Sequence, residues 1–167
     1  MNLTKMITDY SAYNLSANRQ LVNWLSNQPE AELQKEVPSS FKGVLPTLNH
    51  IWAIEEMWCA HLFKNQDAVN RYGVQDLNSQ EVFEGVLHRS AVIVEKVNQL
   101  SDEALIQNSY IKTPWFEANI SVAEYLQHLF NHGTYHRGQI ISMAHQLGFT
   151  EIPSTDFLFF SLTIANQ

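Results

Sequence analysis

The chain has 167 residues, 45% of them hydrophobic and 16% charged, and 10 Lys+Arg against 17 Asp+Glu give a formal net charge of −7. That length suits one domain over 1–167 that buries roughly two thirds of its unfolded surface, and its sparse, scattered basic residues argue against a nucleic-acid partner. The one cysteine, Cys59, excludes an internal disulfide and a thiolate zinc site, and with no apolar run near the roughly 20 residues of a membrane span, a cytoplasmic protein with no membrane partner is expected.

Apolar spacing near the helical period runs through most of the sequence. The first segment places Leu3, Ile7, Tyr10, Asn14, Ala17, Leu21 and Trp24 on one stripe and should stop near Pro29. After a polar loop with Pro38, Ser39, Ser40 and Gly43, a second helix is expected from Pro46 or Thr47 to about Asn65. Its wide apolar arc of Ile51, Ile54, Met57, Trp58 and Leu62 predicts deep burial. Asn78 and Glu81 have the spacing of a capping box ahead of a third helix, whose stripe is Phe83, Val86, Ser90, Ile93, Val97 and Leu100. Ser109 to Ile120, with β-branched and aromatic residues around Pro114, fits either a short hairpin or an irregular loop. A fourth helix should run from about Ser121 to Leu147 and be stopped by Gly148, with a short apolar helix after Pro153. Four long amphipathic helices predict an all-α four-helix bundle.

The fourth helix carries His128, His132 and His136 at successive i+4 steps. Residues four apart lie about 40° apart around the axis and about 6 Å along it, so their side chains can converge on one ion. The apolar stripe of this helix is Val122, Tyr125, Leu129, Ile140, Met143 and Leu147. His132 and His136 fall inside it, His128 at its edge, and His145 opposite. Two imidazoles in a core stripe are costly unless each ring nitrogen has a partner, and a metal supplies one. Two His make an incomplete site, and the best third ligand is His50, on the interior side of the second helix. His61 shares that face but lies roughly 16 Å further along the axis. His88, beside Arg89, reads as surface. His128 is placed as a hydrogen-bonding group around the ligands. No Glu follows His132 as a His-Glu-x-x-His peptidase requires. Spacing and phase leave the competing reading, a metal-free core with hydrogen-bonded His, open.

The segment Asn131-His132-Gly133-Thr134-Tyr135-His136-Arg137-Gly138-Gln139 resembles the Asn-His-x-x-x-His-Arg-Gly-Gln signature of the DinB/YfiT-like family. Ser40-Phe41, then Thr47-Leu48-Asn49-His50-Ile51-Trp52 and Glu56-Met57-Trp58, resemble its second-helix signature, and Tyr13-Asn14 with Asn18 and Leu21 its first helix. The resemblance spans nearly the whole chain. It implies an up-down-down-up bundle, often a homodimer, and a divalent metal held by His50, His132 and His136. Characterised relatives include S-transferases using low-molecular-weight thiols and a thiol-dependent isomerase. The family name reflects DNA-damage induction rather than DNA binding.

The expected function is therefore that of a metal-dependent enzyme, a thiol S-transferase or a hydrolase, with an open position that activates a thiol or water on a small-molecule substrate. The alternative is a non-catalytic metal- or ligand-binding stress-response protein. All-nitrogen ligation suits zinc, nickel, iron or copper. Gln139 is placed to orient a ligand or substrate or to pack as an interior amide, and Arg137 to bind an anionic substrate or pair along the helix face. Tyr10 and Asn14 reach the cavity from the first helix, or Asn14 fixes register. Cys59 reads as a packed core thiol, and Trp52, Trp58, Trp115 and Phe116 as core or dimer contacts. The Phe157 to Phe160 cluster caps the bundle or lies at an interface.

Overall fold

The structure, a computed structural model, describes residues 2–74 and 76–165. Four long helices form the bundle: α1 (Leu3–Leu25), α3 (Val44–Phe63), α4 (Ser79–Val97) and α6 (Val122–Gln146), with short helices α2 (Glu30–Leu33), α5 (Asp102–Ile106) and α7 (Phe157–Ala165). Segment 109–120 resolves as a hairpin of β1 (Asn108–Lys112) and β2 (Glu117–Ser121), paired antiparallel from Asn108 opposite Ser121 to Lys112 opposite Glu117.

Local chemistry sets most of the boundaries. Asn2, Asn78 and Ser121 each cap a long helix by accepting a backbone N–H from its first turn, and Ser121 and Glu124 complete a capping box. Gly148 takes a left-handed φ of 79° just after α6. The second long helix, α3, begins at Val44, two residues ahead of the sequence expectation. Pro46 is tolerated in the first turn because its missing N–H has no intrahelical acceptor there. It ends at Lys64, left-handed with φ 51°, a stop that a lysine does not announce.

Contacts fix the directions. Tyr10 meets Asn131 while Asn14 and Asn18 meet Arg137, so α1 and α6 run parallel. His50 meets His132 while Trp58 meets Tyr125, so α3 and α6 run antiparallel. Trp52 lies over Gly85 and Glu56 pairs with Arg89, so α3 and α4 run parallel. This is the up-down-down-up arrangement, and parallel neighbours need a connection that returns along the bundle. The connection between α3 and α4 makes that return, and its described residues are fastened by buried polar groups. The Glu56 carboxylate pairs with Arg89 at 2.8 Å, both 3% exposed, and accepts the Trp52 indole N–H and the Val69 backbone N–H. Arg71 donates to Asn49 and pairs with Glu81, with its guanidinium 4.1 Å from the Trp52 ring.

Two apolar clusters fill the bundle. One gathers Leu21, Leu25, Leu48, Val86, Ile140 and Met143; the other gathers Ile7, Trp58, Ile93, Leu105, Leu126 and Phe130. Cys59 is buried in the second, and burial pushes its thiol up to about 12. The Phe157 ring packs edge-on against Tyr10 and Tyr13 on α1, while Leu158, Phe159 and Leu162 on α7 are exposed. Among the described residues, no helix is long and apolar enough to cross a membrane.

Gly85 lets α3 and α4 approach this closely, since a Cβ there would run into the Trp52 ring. Gly85→Ala should lose about 1–2 kcal/mol by urea denaturation, because overpacking outweighs the helix propensity gained. Gly138→Ala, with open space around the new methyl, should gain up to about 1 kcal/mol. Equal shifts in the two variants would remove the packing argument.

Candidate metal centre

His136 and Arg137 are neighbours on α6, so their side chains leave the axis about 100° apart. One turns into the groove between α3 and α6, the other into the bundle centre. In the groove, the His132 Nε2 atom stands 3.4 Å from His50 Nε2 and 3.1 Å from His136 Nε2. The ligand atoms of these three residues all lie within 4.8 Å of one another. Two nitrogens bound at about 2.0–2.1 Å to one tetrahedral ion are about 3.3 Å apart, so both close spacings fit a shared metal ion. No fourth His, Cys, Asp or Glu joins the cluster among the described residues.

The surroundings orient the rings. The His136 Nδ1–H donates to Gln139 Oε1 at 2.7 Å, which turns the lone pair of Nε2 toward the other two imidazoles. Gln139 is held in turn through its Nε2–H groups by Ser40 Oγ at 3.2 Å and the Tyr135 hydroxyl at 3.0 Å. Phe41 stacks on His50 with ring centroids 3.9 Å apart and meets His136 edge-on at 5.4 Å. The Ser40-Phe41 loop thus covers one side of the cluster. Burial lowers all three His from their ordinary value, and repulsion from neighbouring His adds to it at His50 and His132. His50 falls to about 4 and His132 to about 3. All three are therefore neutral near pH 7, the state a metal ligand needs.

The other residues singled out from the sequence lie elsewhere or act differently. Arg137 is fully buried: it donates to Asn14 and Asn18 at 2.8 and 2.9 Å and to Thr134 at 2.9 Å. Its guanidinium points into the bundle centre rather than into the groove of the three histidines. Asn14 is buried with it and donates to Glu55 at 2.8 Å, away from the cluster. Tyr10 packs on Phe130 and donates its hydroxyl to Asn131 at 2.8 Å, so it too stays outside. His128 is exposed and has no hydrogen-bonding partner among the described residues; its ring lies 5.8 Å from His132 and 5.7 Å from Trp58. It flanks the cluster rather than supporting a ligand. His61, His88 and His145 are exposed. Phe41 was missed as a site residue, because an aromatic in a loop shows no phase that would aim it.

A parallel-crossover helical bundle with three imidazoles converging from two antiparallel helices defines a class of proteins able to hold a metal ion. The DinB family model matches residues 1–165, and the chain belongs to that family. The chain is 27% identical over 165 residues to Protein DinB of Bacillus subtilis (strain 168), a match covering 90% of this chain and 91% of that protein. A crystal structure of a DinB-like protein from Bacillus cereus ATCC 10987 superposes with a TM-score of 0.68 at 17% identity, covering 86% of this chain and 91% of the other. That likeness supports the fold.

Proposed function

We propose that the chain is a metal-dependent enzyme that acts on a small molecule, using either a thiol or water as the nucleophile. The observation that carries this reading is the convergence of three neutral imidazole nitrogens with no fourth protein donor among the described residues. A divalent ion such as zinc, nickel or iron, held by three nitrogens with positions left over, acidifies a thiol or water near neutral pH.

The chain's own residues supply the rest. Gln139 holds His136 in the tautomer that presents Nε2, so this ligand is set before any ion arrives. Phe41 covers the face of His50 and contacts His136 edge-on, so the Ser40-Phe41 loop closes one side of the site. Glu55 and Glu56 are buried in hydrogen-bonded networks of their own. A proton released at the site therefore passes to solvent along the half-exposed groove rather than to a carboxylate.

The test is elemental mass spectrometry on wild-type protein beside a His132→Ala/His136→Ala variant, followed by turnover with a panel of thiols and electrophiles. Near-stoichiometric metal in the wild type, none in the variant, and a rate above that of free metal are expected. Gln139→Ala should weaken metal affinity roughly 10–100-fold. Stoichiometric metal without turnover across the panel would favour the non-catalytic metal-binding reading, and equal negligible metal in both proteins would end the metal reading.

A further inference from the structure

One helical turn from the triad, toward the start of α6, lies a second feature that the histidines do not explain. Trp58, Phe116, Ala118, Ile120, Tyr125 and His128 line a cleft of about 210 Å³. Its walls are aromatic: Trp58 stacks on Phe116 at 5.9 Å and tilts against Tyr125 at 5.1 Å. The Tyr125 hydroxyl is already committed, donating to the backbone oxygens of Ser109 and Ala118 at 3.1 and 3.0 Å, so it presents no free polar group to an occupant. Those bonds also hold the hairpin against α6 as the outer wall. His128 forms the rim shared with the metal centre, its ring placed almost equally from Trp58 and His132.

We infer that this cleft is the specificity pocket of the His50–His132–His136 site and takes one aryl ring or a branched alkyl group of the substrate. The inference rests on the proposed function for the triad and names the chemistry of what that site accepts. Volume sets the size: a cavity of roughly 150 Å³ holds a benzene ring, whereas drug-sized ligands need roughly 300–1,000 Å³. Lining sets the polarity: apart from the His128 imidazole at the rim and the unpartnered Trp58 indole N–H, the walls are apolar and carry no carboxylate, Lys or Arg to pair with a charged group. Position sets the geometry: a turn of α6 is about 5.4 Å, so the reacting group and the ring are joined by a short spacer that passes His128. His128 is then a positioning residue, present at the rim without touching the reacting atoms.

The experiment uses the full chain reconstituted with cobalt(II), whose charge-transfer absorption reports thiolate binding. Phenethyl thiol should bind at least roughly tenfold more tightly than ethanethiol, the difference reflecting burial of the ring. Ala118→Phe, which fills the cleft, should reduce that preference to within about twofold while cobalt content stays as in the wild type. Phe116→Ala, which removes one wall, should also reduce it and serves if the first variant does not fold. Equal binding of the two thiols to the wild type overturns the cleft and leaves the metal reading standing. If neither thiol perturbs bound cobalt, the thiol reading fails, and the cleft is judged on metal-free protein from the Trp58 indole N–H resonance. A shift on adding benzyl alcohol that Ala118→Phe abolishes supports the pocket, and no shift overturns it.

Discussion

Arg137→Met is expected to cost about 3–5 kcal/mol of stability, the range for removing one partner of a buried charged set. Arg137 is fully buried at the bundle centre and reaches the Glu55 carboxylate through two amides. Asn14 and Asn18 accept from Arg137 with their oxygens and donate to Glu55 Oε1 with their nitrogens, at 2.8 and 3.1 Å. From α4, Ser90 donates to Glu55 Oε2 at 2.7 Å. Each long helix therefore contributes to one polar layer between the two apolar clusters. Burial raises Glu55 to about 7, against the opposing pull of its hydrogen bonds and of Arg137. Without the cation, the amide oxygens lose their donors and Glu55 loses the positive charge that offsets its burial. Arg137→Lys should rescue little, since one ammonium cannot span both amides and Thr134 as the guanidinium fork does. Gly133 leaves room for the guanidinium and its Asn14 partner, because a Cβ there would sit 3.0 Å from both Arg137 and Asn14. Glu55→Met combined with Arg137→Met should be less damaging than the two singles added, by roughly 0.5–3 kcal/mol. Urea denaturation of the four proteins closes the cycle. A single Arg137→Met loss below about 1 kcal/mol would mean that the layer is not a coupled unit.

This layer also marks where the sequence stopped being legible. Helical period placed all four long helices because burial on one face repeats every 3.6 residues, and Asn78, Ser121 and Gly148 marked ends because capping chemistry is local. The start of α3 was displaced by Pro46, which reads as a boundary but is harmless within a first turn. The same wheel that put His132 and His136 in the core stripe could not aim Arg137, whose direction depends on which helix lies beside it. A signal was present: Asn14 sits in the α1 stripe, Asn18 follows one turn later, and Glu55 lies within the apolar α3. Three polar groups at core phase on two helices require partners, and a buried arginine is the residue that meets several at once. His128 was misplaced for the complementary reason. Its wheel position is at the stripe edge, but α3 presents Trp58 there and the hairpin presents Phe116. A neighbouring surface set by a non-helical element has no trace in helical phase. His50 was reached because it lies on an interior face with the i+4 pair already fixed opposite.

Metal should change the sign of a substitution at His132. In the metal-free protein three imidazoles are drawn together in a partly buried groove, and burial and repulsion from its neighbours push His132 down to about 3. The ring gains one neutral hydrogen bond in return: its Nε2–H can donate to the His136 Nε2 lone pair, which Gln139 fixes, at 3.1 Å, while His50 Nε2 stands 3.4 Å away. His132→Leu gives up that hydrogen bond together with the cost of burying an imidazole, and it buries an apolar side chain of similar size, so metal-free stability should stay within about 1 kcal/mol of the wild type or rise. With metal at a hundredfold over its Kd, binding to the folded state alone adds about 2.7 kcal/mol to the wild type. For a chain of this length that is roughly 5–10 °C in Tm. The leucine in the variant supplies no ligand, and the remaining pair, His50 and His136, holds the ion too weakly to give a comparable shift. Calorimetry of both proteins, with and without the ion, gives four numbers. A large gain confined to the wild type assigns the ion to the triad, because His132 is the nitrogen close to both others. An equal gain in both would place the ion elsewhere on the chain, and no gain in either would leave the three histidines as a neutral packed cluster.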